Sequence, residues 1–390
     1  MRVLMIAFAH PDNVLSLYKN VKNKIHISLV FVVAGDKFKQ GVLNIDISSL
    51  HYGINGADKS ARIMPEEINR CLGNESEIRI VRTHDRKLLR DKYFRNFRTI
   101  RNAAKILVKE NYDVIHFNGA SGFILYLLFY FRKSKKIWTL HDYKPHSGEE
   151  NRSGYIFQKL LTKGNVHIIQ HYRYLRDQVI KEYKMPENKV HHVYSGKFDI
   201  FNCFKAHTVP DVKNLEYILY FGRISRYKGI DYLIDTFSKI QAKRGIKLVI
   251  AGGGKLWFEH DKTNRDTIIL NRYIETPELV YLIQNCRFVV VPYTDATHSA
   301  TIMAAYAFNK PVITSGIDGI KEVVDQYKTG ILVTPGNGNE FRKAMESLIH
   351  DDELIKRMGE NIQEYCRNSH IAWEKVTEEL GNVYNRVLSS

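Results

Sequence analysis

At 390 residues, with 44% hydrophobic and 26% charged side chains, the chain is long enough to bury two separate cores, and it shows no low-complexity tract, heptad run or short repeat. The formal charge is +16, and all of the excess lies in the first half: residues 1–205 carry 35 Lys and Arg against 19 Asp and Glu, while residues 206–390 carry 23 of each. That asymmetry suggests an anionic partner for the first half, a membrane surface ahead of a nucleic acid, since no nucleic-acid-binding module is present.

The predicted elements alternate. Val3 to Ala9 reads as a buried strand before His10-Pro11, with a helix over about 13–23 and a second strand over Ile27 to Val33. Residues 36–75 are irregular, with a strand near 43–47 and a helix near 60–71. A short strand follows at Ile78 to Val81. Phe97, Ile100, Ala104 and Leu107 recur at helical spacing within 96–110. Asp113 to Phe117 and Lys136 to Leu140 read as strands around an apolar helix over 121–132. A helix near 153–162, a strand at 166–169, a helix at 172–182 and a strand at Val190 to Val193 complete the half. Residues 196–216 lack periodicity, contain Pro210 and read as a linker.

The second half repeats the rhythm. Strands fall near 217–221, 246–251, 267–270, 287–291, 311–314 and 330–333. Helices fall near 229–243, 277–285, 299–308 and 338–349, and 353–388 is helical. Alternation of this kind predicts parallel sheets covered on both faces. The resulting division is a first domain over 1–200, a linker over 201–216, a second domain over 217–365 and a terminal helix over 366–390.

Two further readings bound the chain. Met1 to Ala9 has no charged lead and no cleavage site, so no secretory leader is expected. The longest apolar run, Phe123 to Phe131, has nine residues, where a spanning helix needs about 20. The expectation is a cytoplasmic chain, soluble or peripheral on the inner face of the plasma membrane. Cys71, Cys203, Cys286 and Cys366 form no Cys-x-x-Cys pair, so they read as buried, reduced thiols.

The chemistry concentrates between Tyr220 and Pro311. Gly222-Arg223 follows a strand, and Lys228-Gly229 precedes a helix. Gly252-Gly253-Gly254 follows the next strand, and Pro292-Tyr293 and Ser299 lead into another helix. Nucleotides bind where parallel strands end and helices begin. Arg223 offers a planar fork for phosphate oxygens and Lys228 a mobile point charge. The helix opening at Ser299 would present the bare amides of Ser299, Ala300 and Thr301 to an anion. A solvated loop is the bland alternative for Arg223 and Lys228.

Residues 220–231 (Tyr-Phe-Gly-Arg-Ile-Ser-Arg-Tyr-Lys-Gly-Ile-Asp), 248–254 (Leu-Val-Ile-Ala-Gly-Gly-Gly), 271–274 (Asn-Arg-Tyr-Ile) and 292–300 (Pro-Tyr-Thr-Asp-Ala-Thr-His-Ser-Ala) resemble the donor half of retaining nucleotide-sugar glycosyltransferases of family 4. The likeness continues through 305–313, Gly319 to Glu322 and 330–333; it is good over roughly 218–335 and holds in outline over 1–200. It implies an α/β chain of the GT-B fold: two Rossmann-like domains facing a cleft, with the last helix crossing back to the first domain.

The resemblance assigns Gly222, Arg223, Lys228, Gly253, Ser299, Ala300 and Thr301 to the donor, and maps backbone contacts to the base onto Tyr273 and Ile274. The family's two glutamates, eight positions apart, fall at Ala296 and Ala304, so the chain looks like a subgroup lacking both. Thr297 or His298 is then expected to face the donor sugar or phosphates. The family's Gly-Gly turn after the first strand is replaced by His10-Pro11-Asp12-Asn13. In some relatives a catalytic histidine stands where this chain has Asn118.

Candidates for orienting an acceptor lie at first-half strand ends: Asn118, His141, Asp142 and His146, where a histidine could pair with a carboxylate. A structural role for these histidines stays open. No Asp-x-Asp occurs, which fits a reaction without metal or cofactor, the nucleotide sugar being a substrate. The basic stretch Arg79 to Lys109 and the run Arg132-Lys133-Ser134-Lys135-Lys136 would suit an anionic membrane and a lipid-linked glycan acceptor, as in bacterial surface polysaccharide assembly. The expected activity is transfer of one sugar from a nucleotide sugar to a glycan. A GT-B nucleotide-sugar epimerase and a non-catalytic sugar-nucleotide or polyanion binder remain as alternatives.

Overall fold

The structure is a computed structural model that describes residues 1–73, 76–85, 93–143, 152–242, 244–259, 264–295 and 299–390. The chain divides into two compact units. Residues 1–143, 152–195 and 374–390 belong to one, and residues 196–373 of the described chain to the other.

The first unit is built on β1 (Arg2–Ala7), β2 (His26–Ala34), β3 (Lys37–Gln40), β4 (Leu43–Asp46), β5 (Gly53–Asn55), β6 (Ile78–Thr83), β7 (Val114–Asn118), β8 (Lys135–Thr139), β9 (His167–Gln170) and β10 (Val190–His192). Its main sheet runs β10-β9-β8-β7-β1-β2-β6-β5. Every pairing in it is parallel except β5 with β6. β1 and β7 are buried almost throughout, as strands covered on both faces must be. From β1 the chain builds outward through β2 and β6, then returns to β7 on the other side. The carboxyl ends of β1 and β7 therefore flank the switch point of the sheet.

Residues 36–75 depart from the simple alternation. β3 and β4 form an antiparallel hairpin, and β5 is an antiparallel edge strand. The helix expected over 60–71 is two helices, Ala57–Ile63 and Glu66–Leu72. Pro65 separates them: a residue before proline avoids the helical region, and Met64 is extended at ψ 148°.

The second unit carries β11 (Tyr217–Phe221), β12 (Lys247–Ala251), β13 (Thr267–Leu270), β14 (Val289–Val291), β15 (Val312–Ser315) and β16 (Gly330–Val333). All pairings are parallel in the order β13-β12-β11-β14-β15-β16, so the switch point lies between β11 and β14. The segment expected as a linker packs onto this unit. Phe204, Val209 and Val212 are buried, and the His207 amide donates to Pro277 O at 3.0 Å.

The single helical stretch expected over 353–388 is two helices, Asp352–Asn368 and Trp373–Ser389. Ser369 is extended between them, and His370 is held at Glu322 O, 2.9 Å from its ring nitrogen. From Glu374 the last helix belongs to the first unit. It buries Val376, Leu380, Val383, Tyr384 and Val387, and Tyr384 Oη lies 2.7 Å from His116 Nδ1.

Cys286 and Cys366 are buried free thiols. Burial pushes their pKa values up to about 12 and about 11, which makes both inert as nucleophiles. Among the described residues, no helix is long and apolar enough to cross a membrane.

Candidate active site

Every described donor residue named from the sequence falls at the carboxyl edge of the second sheet. Gly222 and Arg223 leave β11. Lys228 ends a short 3-10 turn, Arg226–Lys228, and Gly229 (φ 65°) opens the helix Ile230–Ser238. A Cβ on Gly229 would stand 2.2 Å from Pro292 O, so the loops after β11 and β14 meet backbone to backbone. Thr294 fastens the contact, its amide donating to Tyr227 O at 2.9 Å and its hydroxyl at 3.1 Å.

That clamp sets Lys228 Nζ 3.6 Å from the centroid of the Tyr293 ring and 4.8 Å from that of Tyr227. An ammonium over two aromatic faces is held by their quadrupoles. Burial alone would lower the Lys228 pKa, but the fields of Tyr293 and Tyr227 and hydrogen bonds to their phenols leave it above the ordinary lysine value. The cation is therefore permanent. Burial would likewise raise the Tyr293 phenol; Lys228 and the hydrogen bonds from Lys228, Thr301 and Ser299 leave it below its usual value.

The helix Ala300–Ala307 meets the same loops. Tyr293 Oη is 3.0 Å from Thr301 Oγ1, and Thr301 Oγ1 donates to Phe221 O at 3.3 Å. Ser299 Oγ caps the helix by accepting from the Ile302 amide at 3.3 Å, and Ser299 is only 2% exposed. Both hydroxyls are thus turned into the protein. The first helical amides, at Ala300 and Thr301, have no intrahelical acceptor.

Two glycines make this edge possible. Gly252 has φ 154°, and a Cβ there would be 1.9 Å from Gly222 O. A Cβ on Gly254 would be 2.2 Å from Ile224 O. The turns after β11 and β12 lie against each other with no room for side chains. Gly253 faces the backbone of Arg272 and Tyr273, which a Cβ would meet at 3.5–3.6 Å. Tyr273 and Ile274 follow β13, where Arg272 is fixed by two 2.7 Å bonds to Glu278. Ala304 is 2% exposed inside the helix. Ala296, Thr297 and His298 lie outside the described residues.

The carboxyl edge of the first sheet gathers different chemistry. Asn118 ends β7, and its Oδ1 is 2.9 Å from His141 Nε2. The His141 ring packs 3.9 Å from that of His10 and 5.2 Å from that of His171. His171 Nδ1 is 2.9 Å from Val193 O. Asn13 Nδ2 donates to Ser195 Oγ at 2.8 Å. Asn118 Nδ2, Asn13 Oδ1 and the side-chain amide of Gln170 are buried without a hydrogen-bond partner among the described residues. Buried amide atoms of this kind are costly unless another polar group meets them.

Asp142 adjoins His141, and its carbonyl accepts from Gln158 Nε2 at 3.1 Å. Asn118, a side-chain amide, is one partner of His141. His146 lies outside the described residues. His116, on the same strand as Asn118, is structural: it bridges Tyr384 and Thr139 at 2.7 Å each, and burial drives its pKa down to about 3.

Asp12, in the first turn of the helix Pro11–Val21, accepts from the Val42 amide at 2.6 Å, and burial raises its pKa to about 6. Sequence reasoning alone does not single out Tyr293, Tyr227, His10 and His171 as working parts of these edges. Each sits next to a strand end or a helix start, which is the available signal.

Comparison with known proteins agrees with this geometry. Residues 63–196 match the family described as Glycosyltransferase Family 4, and residues 205–365 match Glycosyl transferases group 1. An uncharacterized glycosyltransferase of Methanocaldococcus jannaschii is 27% identical over 306 residues, covering 76% of this chain and 83% of its own. The capsular polysaccharide biosynthesis glycosyltransferase CapM of Staphylococcus aureus is 26% identical over 253 residues, 60% of this chain and 65% of its own. Among solved structures, Anabaena HepE in complex with UDP-glucose superposes with a TM-score of 0.65 at 15% identity, covering 98% of this chain and 100% of its own.

Proposed function

This chain belongs to glycosyltransferase family 4 and has the GT-B fold, and on that premise we propose that it transfers a sugar from a nucleotide sugar to a lipid-linked glycan, with retention and without a metal, in the assembly of a bacterial surface polysaccharide. The observation that carries the donor side is the meeting of Lys228, Tyr293 and the opening of the helix Ala300–Ala307 at the switch point of the second sheet. In this reading Lys228 and the Ala300 and Thr301 amides bind the donor pyrophosphate, and Arg223, exposed beside Gly222, adds a second cation. Gly253 makes room for the nucleotide, whose base lies along Tyr273 and Ile274. The reading gives contact with the donor sugar or phosphates to Thr297 or His298.

As the sugar–phosphate bond breaks, charge builds on the leaving diphosphate, and a fixed ammonium with helix amides stabilises it without reorganising. The absence of an Asp-x-Asp pair from the sequence supports a metal-free reaction. The leaving phosphate takes the acceptor proton on the same face. Asn118, His141 and Asp142 orient the acceptor hydroxyl, a role the reading also gives to His146. CapM, a capsular polysaccharide enzyme by name, supports the polysaccharide setting, and the structures of HepE with UDP and UDP-glucose make UDP-sugars the first donors to try. The excess positive charge of residues 1–205 supports an anionic membrane as the place of work.

The test is calorimetric titration of UDP, GDP and ADP into the wild type, Arg223→Ala and Lys228→Ala. The reading requires both substitutions to weaken the preferred nucleotide at least about tenfold. Unchanged affinity in both would remove the donor site. Product analysis with donor alone separates transfer from epimerisation, since only an epimerase turns over without acceptor.

A further inference from the structure

The first unit has a second feature that sugar transfer does not use. At the amino edge of its sheet, where β8 begins and the loops before β9 and β10 end, a recess of about 520 Å³ is lined by Arg132, Lys133, Lys135, Lys136, Lys189 and His167. Its lining side chains include no carboxylate, and Ser390, whose backbone ends in a carboxylate, also lines it, with its Oγ 3.4 Å from His167 Nε2. The turn that presents the first four cations is fixed: the Ser134 hydroxyl donates to Tyr112 O at 2.8 Å, and the Ser134 amide donates to Phe131 O at 3.1 Å. Lys136 Nζ is tied to Ser134 O at 2.8 Å, and Lys189 Nζ to Asn165 Oδ1 at 3.1 Å, from the opposite wall.

The cations crowd one another. Burial and then the field of Lys135 hold the Lys136 ammonium below its ordinary pKa, and burial, Lys189 and Lys135 do the same to His167. Crowded like charges around a concave space are relieved by a bound anion. The recess lies at the opposite end of β8 from His141, six residues or roughly 20 Å along the strand, so it is separate from the acceptor edge.

We propose that this recess is a binding site for a phosphate-bearing anion with two or more negative charges, held by Arg132, Lys133, Lys135, Lys136 and Lys189. A phosphomonoester headgroup of an anionic lipid and a soluble diphosphate share that chemistry. One observation bears on the source: the Arg132 guanidinium lies 5.8 Å from the centroid of Phe129, a ring 67% exposed, so the rim of the recess runs into exposed apolar surface. The headgroup form of the site rests on the membrane setting proposed above, while the soluble-ligand form does not, and neither takes part in the transfer step itself.

The test compares two triple variants with equal loss of charge. One is Lys133→Gln/Lys135→Gln/Lys189→Gln in the recess. The other is Arg95→Gln/Arg98→Gln/Arg101→Gln on the exposed face of the helix Tyr93–Val108. Each is titrated with inorganic pyrophosphate in the Lys228→Ala background, where the donor cradle no longer competes for the probe, and, without that substitution, sedimented with phosphatidylcholine vesicles with and without phosphatidic acid, at one salt concentration. The recess variant is expected to lose about tenfold or more in affinity, and the helix variant less than about threefold.

Pyrophosphate binding without vesicle binding identifies a soluble ligand, and binding to phosphatidic acid vesicles identifies a headgroup; both support the site. Equal loss in the two variants, or no binding of either probe by the wild type, overturns it. Should the triple variant fail to fold, the single substitution Lys133→Gln, at an exposed position, carries the same comparison. Transfer to a soluble acceptor should be unchanged in the recess variant, which keeps this result separate from the donor test.

Discussion

The two carboxyl edges solve different problems with the same sheet architecture. In the second unit the groups proposed to face a ligand are a charged Lys228, backbone amides at Ala300 and Thr301, and glycine turns closed to side chains. In the first unit they are imidazoles and amides: His10, Asn118, His141 and His171, with buried amide atoms left to be met by something polar. A pyrophosphate is the same in every donor of a given type, so a rigid, pH-independent cradle suits it. Hydroxyl acceptors need groups that both give and take protons, and imidazoles and amides do so.

The largest expected effect comes from breaking the rigid edge. Gly252→Ala places a methyl 1.9 Å from Gly222 O at φ 154°, a conformation other residues rarely adopt. It should cost about 3 kcal/mol of stability in the second unit and abolish nucleotide binding. A thermal melt near that of the wild type would show the turns to be more yielding than this packing implies. Next, Lys228→Ala should weaken nucleotide binding by about 1.5–3 kcal/mol, with kcat for a soluble acceptor falling as well. Lys228→Arg is expected to restore little, because a planar fork does not fit the space over Tyr293 that an ammonium occupies.

Breaking the first edge should leave nucleotide affinity intact. Asn118→Ala removes one partner of His141 and should lower kcat about tenfold while calorimetry with nucleotide is unchanged. A change in nucleotide affinity instead would erase the division of labour between the edges.

The smallest effect sharpens the contrast in pH. His116 titrates at about 3 and His191 at about 4 in the folded chain, both held down by burial, against about 6.5 when unfolded. Between those values the unfolded chain binds more protons. Stability is therefore full above about pH 6.5 and falls as pH drops toward 3. Hydrogen exchange at pH 7 and pH 5 should show acid loosening in the first unit ahead of the second. Acid loosening confined to the second unit would contradict this assignment.

The second half is far more legible in the sequence than the first, for physical reasons. Its strands are fully buried, so Tyr217–Phe221 and Lys247–Ala251 read as short apolar runs bounded by glycine. The glycines are dictated by backbone contacts that tolerate no side chain, so they mark the edge directly. What the sequence hides there is orientation. Ser299 and Thr301 read as ligand groups through their backbone amides, and only the structure shows that their hydroxyls serve the helix cap and Phe221 O.

In the first half the hairpin of β3 and β4 and the three-residue β5 leave no periodic signal, because four- and three-residue strands are too short to show one. The pairing of His141 with Asn118 joins residues 23 apart in sequence, and the packing of His10 on His141 joins residues much farther apart. Strand-end positions announce each residue singly, and only the strand order brings them together.

The central claim is that Lys228 and the amides opening the helix Ala300–Ala307 hold a diphosphate at the β11–β14 switch point. The most direct measurement is a crystal structure of the chain with a bound nucleoside diphosphate. Phosphate oxygens within about 3.2 Å of Lys228 Nζ and of the Ala300 or Thr301 amide nitrogen are the predicted result. A diphosphate bound elsewhere on the molecule, with Lys228 still over the Tyr293 ring and touching no phosphate, would contradict it.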